Sequence, residues 1–116
     1  MYDSNNVFAK IIRGEIPADK IYEDKYVLAF HDITPAAPTH VLVIPTGEYT
    51  DFTDFINKAS PEEVSYYFTK VNEIAHDLGF AKEGFRLCSN IGRQSGQSVF
   101  HFHTHILSGK KFGDLV

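Results

Sequence analysis

The chain has 116 residues, 43% of them hydrophobic and 22% charged. That is enough for one real core and is ordinary for a soluble globular protein. The net charge is −4 and there is no basic block. A surface that tracks nucleic-acid phosphates is therefore not expected, and no apolar run reaches the ~20 residues that span a bilayer. Cys88 is the one cysteine, which excludes an intrachain disulfide and suits a reducing cytosol. Asp3, Lys10, Arg13 and Glu15 interrupt the N-terminus, so no secretory signal is expected and the protein reads as cytoplasmic.

Residues 4–13 predict a short helix, capped by Ser4 or Asn5 and stopped at Gly14. Val7, Phe8, Ile11 and Ile12 share one face of it. That face either packs into the core or lends Phe8 and Ile11 to the wall of an aromatic ligand. Ile21–Glu23 and Tyr26–His31 read as two strands joined at Asp24-Lys25. Asp32 opens a proline-bracketed loop; it is explained as a turn residue, or as an acceptor for sugar hydroxyls. His40–Pro45 is a nearly continuous apolar strand and so a central one. Residues 46–59 read as irregular, with a short helical turn near Phe52 to Phe55.

Ser60-Pro61-Glu62-Glu63 is the clearest helix start, with Ser60 as cap, Pro61 in the first turn and Glu63 closing a capping box. Val64, Tyr67, Phe68, Val71, Ile74 and Ala75 follow at helical spacing, and Gly79 ends the helix. Gly84–Asn90 reads as a fourth strand, with Cys88 as a buried structural thiol. Residues 91–96 form a loop whose Arg93 reads as solvated, and residues 108–113 form a mobile tail. Few helices and short connections argue for an α+β fold with a largely antiparallel sheet of five strands. The whole chain, 1–116, reads as one domain.

The fifth strand carries the chemistry. In His101-Phe102-His103-Thr104-His105-Ile106-Leu107, histidines alternate with mostly apolar residues. At a period of two, His101, His103 and His105 share one strand face, and Phe102, Thr104 and Ile106 share the other. One such histidine would read as structural; three on one face point to chemistry. A metal site is the rival reading. The outer pair of histidines would be ~13 Å apart at Cα on a straight strand, and a tetrahedral site wants further nitrogen or sulfur ligands. Gly96-Gln97-Ser98, just upstream, offers backbone freedom and a hydroxyl that can hold an anion.

This segment resembles the histidine-triad (HIT) signature, in which histidines alternate with apolar residues. Asn6 to Arg13, Phe30 to Pro35, Ala37 to His40, Val43 to Pro45 and Gly96 to Val99 also resemble the Hint branch of that superfamily, in the same order. Thr104 departs from the pattern, being polar on the packing face, and the C-terminal tail differs from that of animal Hint proteins.

The resemblance implies a five-stranded antiparallel sheet with two helices, paired into a homodimer with joined sheets. It implies hydrolysis of purine nucleoside 5′-phosphoramidates at the α-phosphorus, with no metal or other cofactor. His103 would be the nucleophile, His105 and Ser98 would contact the phosphate, and His101 and His40 would orient the cluster. Asp32 would accept from the ribose, with Asn90 nearby and Gly96 and Gln97 supplying backbone at the phosphate. Phe8, Ile11, Phe30, Ile33 and Leu42 would line the nucleoside pocket, with His31 at its edge. A diadenosine-polyphosphate hydrolase and a nucleotide-binding adaptor with incidental hydrolysis are the alternatives. A hexose-phosphate nucleotidyltransferase is disfavoured, because that branch carries glutamine where this chain has His105.

Overall fold

The computed structural model describes residues 1–114. Three helices, α1 (Val7–Ile12), α2 (Phe52–Lys58) and α3 (Pro61–Asp77), accompany five strands. These are β1 (Lys20–Glu23), β2 (Val27–His31), β3 (Thr39–Pro45), β4 (Arg86–Cys88) and β5 (Thr104–Ser108). All neighbours are antiparallel in the order β1-β2-β3-β5-β4.

The sheet is covered on both faces, which is why β3 reads as a continuous apolar run. Val27, Ala29, Val41, Val43, Phe102 and Ile106 pack with Phe55 of α2 and Tyr67 and Val71 of α3. Leu28, Phe30, Leu42 and Ile44, the alternate residues of β2 and β3, pack on the opposite face with Phe8 and Ile11 of α1.

Several local expectations are corrected. Asn6, not Ser4 or Asn5, caps α1, its side chain accepting from the Ala9 N–H. The β1–β2 turn takes in Tyr26 as well as Asp24 and Lys25, because β2 starts at Val27, and Asp24 closes it, its carboxylate accepting from the N–H groups of Tyr26 and Val27, each at 2.8 Å. Burial pushes the Asp24 carboxyl up, but these bonds and those from Tyr66 and Tyr22 hold it at about 2. Residues 46–59 contain a full helix, α2, which makes three helices rather than two. Asp51 caps it by accepting from the Asp54 N–H.

Ser60 caps α3 as expected. The Glu63 carboxylate accepts from the Tyr49 hydroxyl at 3.1 Å instead of turning back to close a box. Cys88 is half-buried, not buried. Ser108 ends β5, and the tail beyond it is held, because Arg86 donates to the Gly113 carbonyl and stacks on Phe112.

Thr104 has a partner. Its hydroxyl lies 2.8 Å from the Tyr67 hydroxyl, which lies 2.8 Å from the Val43 carbonyl. A carbonyl only accepts, so Tyr67 donates to Val43 and Thr104 donates to Tyr67.

Candidate active site

The paired part of the last strand begins at Thr104, later than the alternation predicts. The β3–β5 register pairs Val43 with Thr104. Continued upstream it would set Pro45 near Phe102, and Pro45 has no N–H to give. The Pro45 carbonyl is instead 2.8 Å from His101 Nε2, and the Phe102 N–H donates to Tyr49 O. The alternation survives without the ladder. Phe102 and Ile106 enter the core, while His101, His103 and His105 face the α1 side, where Phe8 meets His101 and His103 edge-on.

The hydrogen bonds fix the imidazole protons of His40, His101, His103 and His105. Pro45 O can only accept, so His101 carries its proton on Nε2 and its Nδ1 accepts from the Tyr2 hydroxyl at 2.6 Å. His103 Nδ1 lies 2.7 Å from the His101 carbonyl. It must donate, which leaves Nε2 as a bare lone pair.

The second chain runs through His40. The Ala36 N–H donates to His40 Nδ1 at 3.0 Å, so the His40 proton sits on Nε2. That Nε2 is 2.8 Å from His105 Nδ1 and 3.4 Å from an Asp32 oxygen. The shorter contact makes His105 Nδ1 an acceptor and leaves Nε2–H of His105 as a donor. The 103 and 105 rings are 5.0 Å apart between centroids. One thus presents a lone pair and its neighbour an N–H.

These tautomers require neutral rings, and the surroundings keep them neutral. Burial lowers all four histidines below the ordinary imidazole value. For His101 it outweighs the Pro45 bond and brings the ring to about 4. For His105, burial and the neighbouring His103 and His40 bring it to about 4 as well. For His103, burial outweighs the bond to the His101 carbonyl and the pull of Asp32.

A pocket of about 270 Å³ opens beside these rings. Phe8, Ile11, Phe30, His31, Asp32, Ile33, Leu42, Ser98, His103 and His105 line it, all of them among the residues singled out from sequence. His101 and His40 are buried behind the wall.

Asn90, Gly96 and Gln97 are not brought into the lining. The Gln97 side chain is committed to its own loop, accepting from the Gly92 N–H and donating to Thr50 O and Val99 O. The N–H groups of Gly96 and Gln97 are spent on Arg93 O and Gly92 O. Ser98 is therefore the member of that stretch that faces the pocket. Arg93 lies over the Phe100 ring.

Sequence reasoning missed Val7, Ile16, Pro17, Ala18, Thr34 and Val99 in the wall, and Tyr2 behind it. Pro17 marks an extended segment after α1, and that segment forms part of the wall. Nothing in local pattern marks Tyr2.

Asp32, His40 and His105 each offer one donor atom within 4.8 Å of the others, the spacing of a cation site. A cation would need a lone pair on His40 Nε2, which carries the proton while Ala36 donates to Nδ1. The wiring suits a hydrogen-bond relay.

An α+β sheet that holds an alternating histidine cluster against an apolar pocket defines a histidine-centred site. A family model described as the HIT domain matches residues 13–112, and the chain belongs to that family. It is 54% identical to an uncharacterized HIT-like protein of Rickettsia prowazekii (strain Madrid E), over 100% of this chain and 97% of the relative. It is 40% identical to the purine nucleoside phosphoramidase of Escherichia coli (strain K12), over 95% of this chain and 92% of that protein. A solved HIT family hydrolase from Clostridium thermocellum superposes with a TM-score of 0.88 at 41% identity, covering 98% of each chain. Among the described residues no helix is long and apolar enough to cross a membrane.

Proposed function

We propose that the protein hydrolyses purine nucleoside 5′-phosphoramidates through a covalent nucleotidyl-histidine, releasing the nucleoside monophosphate. The observation that carries this reading is the 2.7 Å bond between His103 Nδ1 and the His101 carbonyl, which leaves Nε2 of a pocket-lining, neutral imidazole unprotonated. The 40% identity to a purine nucleoside phosphoramidase supports the substrate class.

The purine lies against Phe8, Ile11, Phe30, Ile33 and Leu42, the apolar end of the pocket. Asp32 accepts from the ribose hydroxyls. One of its oxygens already accepts from Thr34 N–H and hydroxyl, which steadies the carboxylate. His103 Nε2 attacks phosphorus. The Nε2–H of His105 and the Ser98 hydroxyl stabilise the phosphoryl oxygens. The P–N bond breaks as the leaving nitrogen takes a proton, with Ser98 as donor or relay. Water then attacks the phosphorus, the P–Nε2 bond breaks, and His103 is regenerated. No step needs a metal.

The active unit is a homodimer with joined sheets, supported by β4, a three-residue edge strand that carries the exposed Leu87, with the exposed Ile91 just beyond it. The unpaired, half-buried Cys88 accords with a cytosolic address.

The test is a chelator-treated assay on adenosine 5′-phosphoramidate with wild type and His103→Ala. Turnover to AMP by the wild type alone is expected. A wild type that is inert until zinc is added would overturn the nucleophile assignment and return the histidines to a ligand role.

A further inference from the structure

We propose that Tyr2 is a positioning residue for His103 that acts through the His101 ring, a role that rests on the reading of His103 as the nucleophile. Tyr2 does not line the pocket. Its hydroxyl reaches a residue 99 positions away, His101, and lies 2.6 Å from Nδ1 of a ring that is 1% exposed. That Nδ1 must accept, because Nε2 gives its single proton to the Pro45 carbonyl. Remove the hydroxyl and a buried acceptor loses its donor. The ring is then held at one end only. The backbone carbonyl of the same residue orients the His103 Nδ1–H, so looseness at residue 101 reaches the nucleophile's tautomer directly.

The segment that delivers Tyr2 is folded, not frayed. The Asp3 carbonyl accepts from the Asn6 N–H and side-chain amide, and the Asp3 carboxylate accepts from the Asn5 N–H. Arg13, just past the end of α1, donates to the Ser4 carbonyl at 2.8 Å. Residues 3 to 6 are thus tied to both ends of α1, the helix whose Phe8 packs edge-on to His103. The Tyr2 ring itself lies edge-on to His101 at 5.6 Å.

Tyr2→Phe keeps that ring contact and removes only the hydroxyl. Its kcat on adenosine 5′-phosphoramidate is expected to fall about 2- to 12-fold, the worth of one neutral hydrogen bond. KM should stay within about two-fold, because nothing that touches substrate has changed. The ¹⁵N spectrum of the imidazoles supplies a readout independent of turnover. In Tyr2→Phe the His101 Nδ1 resonance should move toward that of a free acceptor nitrogen, and His103 should lose its single Nδ1–H tautomer.

If the wild type turns out to be inert on the phosphoramidate, the function reading fails, and the spectra still decide the Tyr2–His101–His103 linkage. Wild-type kcat and unchanged imidazole resonances in Tyr2→Phe would overturn the proposal. So would a kcat loss confined to Tyr2→Ala, which would reduce Tyr2 to a packing residue.

Discussion

The two faces of one six-residue segment, His101 to Ile106, are built on opposite principles. On the α2–α3 face, Phe102 stacks on Phe55 at 4.9 Å between centroids, Ile106 is fully buried, and the lone polar group, Thr104, is matched by Tyr67. On the α1 face every side chain is an imidazole, and each proton is assigned by a bond to a backbone carbonyl, a hydroxyl or another imidazole. The first face is held by area, which is non-directional and tolerant of shape-conserving change. The second is held by direction, where one lost partner alters a tautomer. Alternation along a strand lets neighbouring residues serve these two ends without compromise.

That contrast is most sharply broken by substituting adjacent residues. His103→Ala should cut turnover by at least about 10³-fold, since it removes the attacking atom, while shifting the urea midpoint less than a core truncation does. Phe102→Ala should do the reverse. It should cost about 3–5 kcal/mol of unfolding free energy by urea denaturation, with residual activity in whatever fraction stays folded. If the two variants gave the same pattern, the division between faces would not hold.

Acid tests the directional face next. The His101 ring is brought to about 4 by burial, against an ordinary value near 6.5. Between those values the unfolded chain binds the more protons, so stability rises with pH there. Read downward, this contribution is intact above pH 6.5, is lost as pH falls toward 4, and levels off below. The loss from this one ring is about 3 kcal/mol. Urea unfolding across pH 7 to 4 measures it, with His101 ¹⁵N shifts marking the titrating group.

The smallest effects come from the polar pair within the packed face. Tyr67→Phe leaves Thr104 Oγ and Val43 O without their partner and should cost about 1–3 kcal/mol. Thr104→Val should cost about 1 kcal/mol or less, because Tyr67 still donates to Val43. Thermal or urea unfolding of both, with the double variant, gives their coupling.

The sequence carries the packed face more openly than the wired one. The alternation of His101 to Ile106 and the Ser60-Pro61 start of α3 are short-range patterns, and the structure follows them. Helix α2 hides because Phe52 and Phe55 give too little periodicity; the Asp51–Asp54 cap was its one signal. The resemblance named much of the pocket lining, though not Val7, Ile16, Pro17, Ala18, Thr34 or Val99, and it did not give the wiring. The partners that set the tautomers follow no local pattern: some are nearby backbone groups, Ala36 for His40 and the His101 carbonyl for His103, and others are far along the chain, Pro45 and Tyr2 for His101 and His40 for His105. Gln97 shows the same limit in reverse: a polar residue beside the site spends its amide on holding the loop.

The most direct test of the account is where the nucleotide attaches. Wild-type protein would be mixed with adenosine 5′-phosphoramidate, quenched within a turnover, digested under conditions that preserve P–N bonds, and mapped by mass spectrometry. An adenylyl group on His103, absent from His103→Ala, is the predicted result. An adduct on His101 or His105, or rapid turnover by His103→Ala, would contradict it.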